Sequence, residues 1–185
     1  MKRQPVITAI ATLFTAAVVI LGYIMLGLLP AILFVFGFLG GYILWLLIPT
    51  KVSFAAIKVP YFLTLAFFVI HKIEEREMDF FPRLSEITGV PVPDASFLII
   101  LLYALAAAWL LIPYLVSRGH AFGYYLAWTF FTAMGVTELA HFFLPFLTLE
   151  PYGYFPGMAS VILLAPAAWW GIWRLSGKHQ AAGVQ

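Results

Sequence analysis

Apolar runs follow one another along almost the whole of this chain, and they are long enough to cross a bilayer. A spanning helix needs about 20 apolar residues. We read six candidate runs, over 6–29, 31–48, 54–73, 96–116, 122–146 and 157–175. Composition agrees: 64% of the residues are apolar and only 10% are charged, against roughly half and a quarter in a soluble domain. A chain of this size leaves much of its surface exposed when folded, so that much apolar surface cannot all be hidden inside. The expected fold class is therefore all-α, a polytopic transmembrane helix bundle of about six spans.

The chain divides by its breaks. The basic start, Lys2 and Arg3, resembles the opening of a signal peptide, but the apolar run behind it is longer than the 7–15 residues of such a segment, so it reads as a helix. Pro30 and Pro49 bound the second run, and the first two runs form an N-terminal transmembrane hairpin over 1–53. Gly37, Gly40 and Gly41 would let the second helix approach a neighbour closely. Residues 54–175 form a four-helix membrane domain, and 176–185 a disordered cytoplasmic tail. The polar stretch 74–95 separates the third and fourth runs and holds a short interfacial helix near 80–87.

Charge sets the orientation. Lys2, Arg3, Lys51, Lys58, Arg118, Arg174 and Lys178 fall on one side of a six-span arrangement, and only Lys72, Arg76 and Arg83 on the other. Basic loops stay in the cytoplasm. The expectation is a multi-pass protein of a bacterial-type plasma membrane, with both termini cytoplasmic. All eight acidic residues fall at or near the outer side. A net charge of +2 makes no case for nucleic acid. The lack of cysteine excludes disulfides, thiolate zinc sites and cysteine nucleophiles.

Two helix ends on the acidic side carry the chemistry. The third run closes in His71-Lys72-Ile73-Glu74-Glu75. Positions i, i+3 and i+4 share a helix face, so His71, Glu74 and Glu75 point together and Lys72 elsewhere. The fifth run holds Glu138-Leu139-Ala140-His141, a Glu/His pair at i, i+3 within an apolar stretch. Ionisable groups inside a span are costly and functional by default. If the two helices are neighbours, two imidazoles and three carboxylates converge, and a divalent cation would relieve the cost of burying them. His71, Glu74, Glu75, Glu138 and His141 are the candidate ligands, and such a set suits zinc, iron or manganese. A solvated helix end and a buried hydrogen-bonded pair are the plainer alternatives. His120, near Arg118 on the opposite side, reads as interfacial rather than part of the site.

The segment His71-Lys72-Ile73-Glu74-Glu75 resembles the signature of the HXXEE-domain membrane proteins. The later His141, followed by Tyr154-Phe155-Pro156-Gly157 at the opening of the last helix, is similar to that family too. The resemblance covers about 54–175, and Glu138 departs from it, because Asn often stands there. The family is defined by its motif and not by an activity, so the resemblance implies a site without naming a reaction.

The expected function is that of a membrane-embedded, metal-dependent enzyme acting on a lipid or other apolar small molecule near the outer leaflet. Hydrolysis is the most economical chemistry: a metal held by His71, His141 and a carboxylate would lower the pKa of a bound water. Glu75, or whichever glutamate is not a ligand, would be the general base. Tyr154 and Tyr152 would orient substrate or donate to a developing oxyanion. An iron-dependent oxidation would use the same ligands. The alternatives are a metal-free acid–base enzyme of the isomerase type and a proton- or cation-coupled transporter. The almost wholly apolar inner halves of helices three and five, with no convincing internal repeat, speak against transport.

Overall fold

The computed structural model describes residues 4–91 and 97–177, and every regular element among them is helical. Helix α1 (Pro5–Leu26) turns at Gly27, whose φ of 88° suits glycine, into α2 (Leu28–Leu47). Helix α3 spans Phe54–Glu77, and α4 is the short helix Phe80–Thr88. The next helix, α5, is composite: Phe97–Ala107, a 3-10 turn at Ala108–Leu111, then Ile112–Ser117. Helix α6 changes type twice, being α over Ala121–Thr132, π over Ala133–Thr137 and 3-10 over Glu138–Phe142. Helix α7 is Met158–Leu175.

Among the described residues, four helices have the length and apolarity to cross a membrane: α1, α2, α3 and α7. The expected fourth and fifth runs are not among these four. The described apolar part of α5, Tyr103–Ser117, is shorter and carries its 3-10 turn. In α6 the regular α-helix stops at Thr132. The expected short helix near 80–87 is α4, and the expected tail falls, from residue 178 on, outside the described residues.

Helix α6 is the centre of the bundle. Every residue from Gly123 to Gly135 is buried, including Trp128, Phe130 and Phe131 with no exposure at all. A helix apolar all round belongs where neighbours surround it. Helix α2 lies against it through Gly37 and Gly41. A methyl group on Gly37 would stand 2.2 Å from Thr137 Oγ1, and one on Gly41 would stand 2.6 Å from Thr129 Cα. Gly40 leaves 3.6 Å to its nearest neighbour and is not part of this contact. The N-terminal hairpin thus packs into the same core as the helices that follow: Ala11, Val18, Phe38 and Trp45 share one cluster with Tyr125, Trp128 and Phe130.

The π turn of α2 at Val35–Leu39 and the irregular turns of α6 release backbone carbonyls, which side chains take up. Thr137 donates to Leu33 O (3.0 Å) and the Trp169 indole to Gly135 O (2.6 Å). The same device serves α3. Pro60 has no N–H to give to the Ala56 carbonyl four residues back. Arg174 Nε, from the end of α7, donates to that carbonyl instead at 2.8 Å. Helix α7 packs along α3 and also against α6, so it is the last helix that brings the two site-bearing elements together.

Candidate metal centre

His71 and Glu75 stand four residues apart on the regular helix α3, one turn above the other, and both are buried. Glu138 and His141 stand three apart on the 3-10 end of α6, where a repeat of three residues per turn places i and i+3 on one edge. The two pairs face each other. His71 Nε2 lies 3.2 Å from Glu75 Oε1 and 3.2 Å from Glu138 Oε2. His141 Nε2 lies 3.4 Å from Glu75 Oε1 and 3.3 Å from Glu138 Oε2. These four ligand atoms all lie within 4.8 Å of one another, and the group could hold a metal ion. Nitrogen and oxygen donors about 2.0–2.2 Å from a common ion are separated from their neighbours by about 3–3.5 Å, which is the observed His-to-Glu spacing.

The outer ring nitrogens decide the protonation of the inner ones. His141 Nδ1 is hydrogen-bonded to the Pro156 carbonyl, which can only accept, so the proton of a neutral ring sits on Nδ1. His71 Nδ1 bonds Ser160 Oγ at 2.8 Å, and Ser160 Oγ in turn donates to Gly157 O at 3.2 Å. The serine hydrogen is thereby spent, and His71 Nδ1 is the donor. In the neutral state both Nε2 atoms therefore present bare lone pairs toward two carboxylate oxygens. Two lone pairs and two carboxylate oxygens aimed at one buried point would be balanced by a cation between them, or by a proton on each imidazole. Outer-sphere carbonyls and hydroxyls of this kind fix metal-ligating imidazoles.

Gly157 explains why the chain can close so tightly here. Its φ is 96°, and a methyl group there would stand 2.5 Å from the His141 ring and 2.7 Å from the His71 ring. The segment Tyr154-Phe155-Pro156-Gly157 is thus built around the imidazoles. Phe155 is buried with Leu84 and Leu144, Pro156 supplies the carbonyl, and Gly157 gives the space. Phe80, from α4, packs on His141 with ring centroids 5.1 Å apart.

Glu74 is the expected ligand that stands apart from the four. Its Oε2 accepts from the Ser160 N–H (2.8 Å), and its Oε1 from the Ala159 N–H (3.0 Å) and the Tyr154 hydroxyl. Both oxygens are committed to the N-terminus of α7, where free N–H groups and the helix dipole favour an anion. Tyr154 accordingly turns to Glu74 and not to the cluster. Its partial burial, and then that carboxylate, push the phenol up to about 12, so it remains a donor at neutral pH. Tyr152 is exposed and donates to the Phe142 carbonyl at 3.3 Å. His120 accepts from Phe122 N–H at the start of α6, away from the cluster.

Three participants were not read from the sequence. Lys72, expected to point away, reaches back to Glu75 Oε2 at 2.6 Å. Ser160 and the Pro156 carbonyl were not read as partners of the imidazoles, although Pro156 lies in the Tyr154–Gly157 segment, since that role comes from where α7 begins. Beside the cluster lies a cavity of about 160 Å3 with largely apolar walls, which the charged groups Lys72, Glu75 and Glu138 and the imidazole of His141 also line.

Comparison of this chain with protein-family models, with curated proteins and with solved structures returned no match.

Proposed function

We propose that this chain is a multi-pass membrane protein that binds one divalent metal ion through His71, His141, Glu75 and Glu138, and uses it to hydrolyse a lipid or other apolar substrate near the outer leaflet. The observation that carries the metal is the pair of imidazole Nε2 atoms facing two carboxylate oxygens, each ring held by an outward-facing bond from Nδ1. Zinc, iron and manganese all suit two imidazoles and two carboxylates. The ion supplies Lewis-acid polarisation of a substrate oxygen and acidification of a water.

The remaining roles follow from the side chains. Glu75 is held by Lys72 on Oε2, while its Oε1 faces both imidazole Nε2 atoms, and it serves as a fixed ligand. Glu138 meets both imidazoles through Oε2, which leaves Oε1 to accept a proton from the attacking water. Lys72 borders the cavity and offsets one carboxylate charge. The apolar walls keep bulk water away and favour an apolar substrate. Both termini lie in the cytoplasm on this reading, which rests on the basic residues at 51, 58, 118 and 174.

The test is a hydrolysis assay over a panel of lipid esters, with the purified protein in nanodiscs. The expected result is release of product that a chelator abolishes and that one of the three metals restores. Hydrolysis that survives complete removal of metal would contradict the proposal and favour metal-free acid–base chemistry by the same residues.

A further inference from the structure

The apolar cavity is not sealed from the side of the bundle. The Phe97–Ala107 part of α5 packs mainly on α1, and α5 meets α3 through its last turns, Ile112–Ser117. A groove of about 500 Å3 is left between α3 and α5. Phe68, Lys72, Tyr103, Ala106 and Trp109 border both the groove and the cavity, so the two spaces adjoin across these side chains. The rest of the groove is apolar, with Leu65, Val69 and Leu110, except at its outer end. There Lys72 and the exposed Arg76 stand one helical turn apart on the same face of α3.

The cavity itself has a depth and a floor. On α1 it extends from Leu26 to Val18, eight residues, or about 12 Å at the rise of a helix. At the deep end Phe38 and Trp109 stack, with centroids 5.4 Å apart and planes 15° apart. The other end is the His/Glu cluster.

We infer that the cavity receives the hydrocarbon chain of a single-chain anionic amphiphile, which passes laterally from the lipid through the α3–α5 groove. Its charged group meets Lys72 and Arg76, its first carbons lie at the cluster, and its chain ends against Phe38 and Trp109. Lys72, paired with Glu75, and Arg76 put two cations on the groove, whose other walls are largely apolar, and this favours an anionic head group over a neutral one. The inference rests on the proposed lipid substrate and names its class.

A photoreactive probe tests it without any turnover. A long-chain carboxylate carrying a diazirine midway along its chain is added at a few per cent to nanodiscs of phosphatidylcholine holding the full-length protein, and labelled residues are mapped after illumination. The expected adducts lie on Val18, Met25 and Met134, inside the cavity. Filling the cavity from either wall, by Met134→Trp or Ala106→Phe, should reduce them about tenfold, with unchanged gel-filtration behaviour showing which variant has folded. Arg76→Gln, and an alcohol probe of the same chain, should each give several-fold fewer. Adducts confined to outward residues such as Leu13, Ile20 and Leu163 would overturn the inference, and equal interior labelling by the alcohol would overturn its anionic part. The same experiment on chelated protein separates the two proposals. Interior labelling that persists in a protein found never to bind metal sinks the metal and leaves the cavity, whereas full metal occupancy without interior labelling does the reverse.

Discussion

His141 donates its Nδ1–H to the main-chain carbonyl of Pro156, and that bond turns the other ring nitrogen toward Glu75 and Glu138. The orientation of a side chain on α6 is thus set by the loop that opens α7.

Gly157→Ala should be among the most damaging single changes. The methyl group meets both imidazoles, and the left-handed backbone costs a non-glycine residue about 1–2 kcal/mol by itself. The expected outcome is a fall in melting temperature together with loss of bound metal. A variant that keeps both at wild-type values would show that the loop does not close on the rings as described.

Glu74→Gln and Glu74→Ala should separate this residue from its neighbour Glu75. Loss of an anion capping a helix N-terminus costs about 0.5–2 kcal/mol. Both changes should lower thermal stability, alanine more than glutamine, and leave metal content unchanged. Loss of metal in Glu74→Gln, with the protein still folded, would put Glu74 back among the ligands.

That distinction marks how far the sequence could be read. The spacing of His71 with its two glutamates, and of Glu138 with His141, brought the right helix faces together, because i, i+3 and i+4 geometry is local. It could not choose between Glu74 and Glu75. What chooses is the N-terminus of α7, more than eighty residues away in the chain, which takes Glu74 through the Ser160 N–H. Lys72 was sent outward, although Lys72 and Glu75 are themselves an i, i+3 pair, and its ammonium reaches Glu75 Oε2. The all-helical fold was legible in the apolar runs. The break of α6 at Thr132 was not, since Ala133–Thr137 differs in no obvious way from a regular helical stretch, and the carbonyls it frees are met by side chains from other helices.

The close contact of α2 with α6 gives a graded test. Gly41→Ala and Gly37→Ala force a methyl group into Thr129 and Thr137, and overpacking of this kind costs about 1–3 kcal/mol. Gly40→Ala has room and should be neutral or slightly stabilising. Thermal unfolding of the three variants in one detergent should rank them in that order. Equal effects at 40 and 41 would mean that α2 is not seated on α6 through Gly41.

Topology is checked in intact cells with cysteine introduced into this cysteine-free chain. Glu86, exposed on α4, should be labelled by an impermeant thiol reagent, and Ser117, exposed at the end of α5, should not. The reverse pattern would place the cluster toward the cytoplasm.

The central claim is that four side chains hold one ion, and elemental analysis of the purified protein measures this most directly. The account predicts about one zinc, iron or manganese per chain in the wild type. His71→Ala and His141→Ala should each lose it, the double variant should lose less stability than the two singles added together because they share one ion, and His120→Ala should keep it. A wild-type protein without stoichiometric metal, whose melting temperature does not rise when any of the three ions is added, would contradict the account.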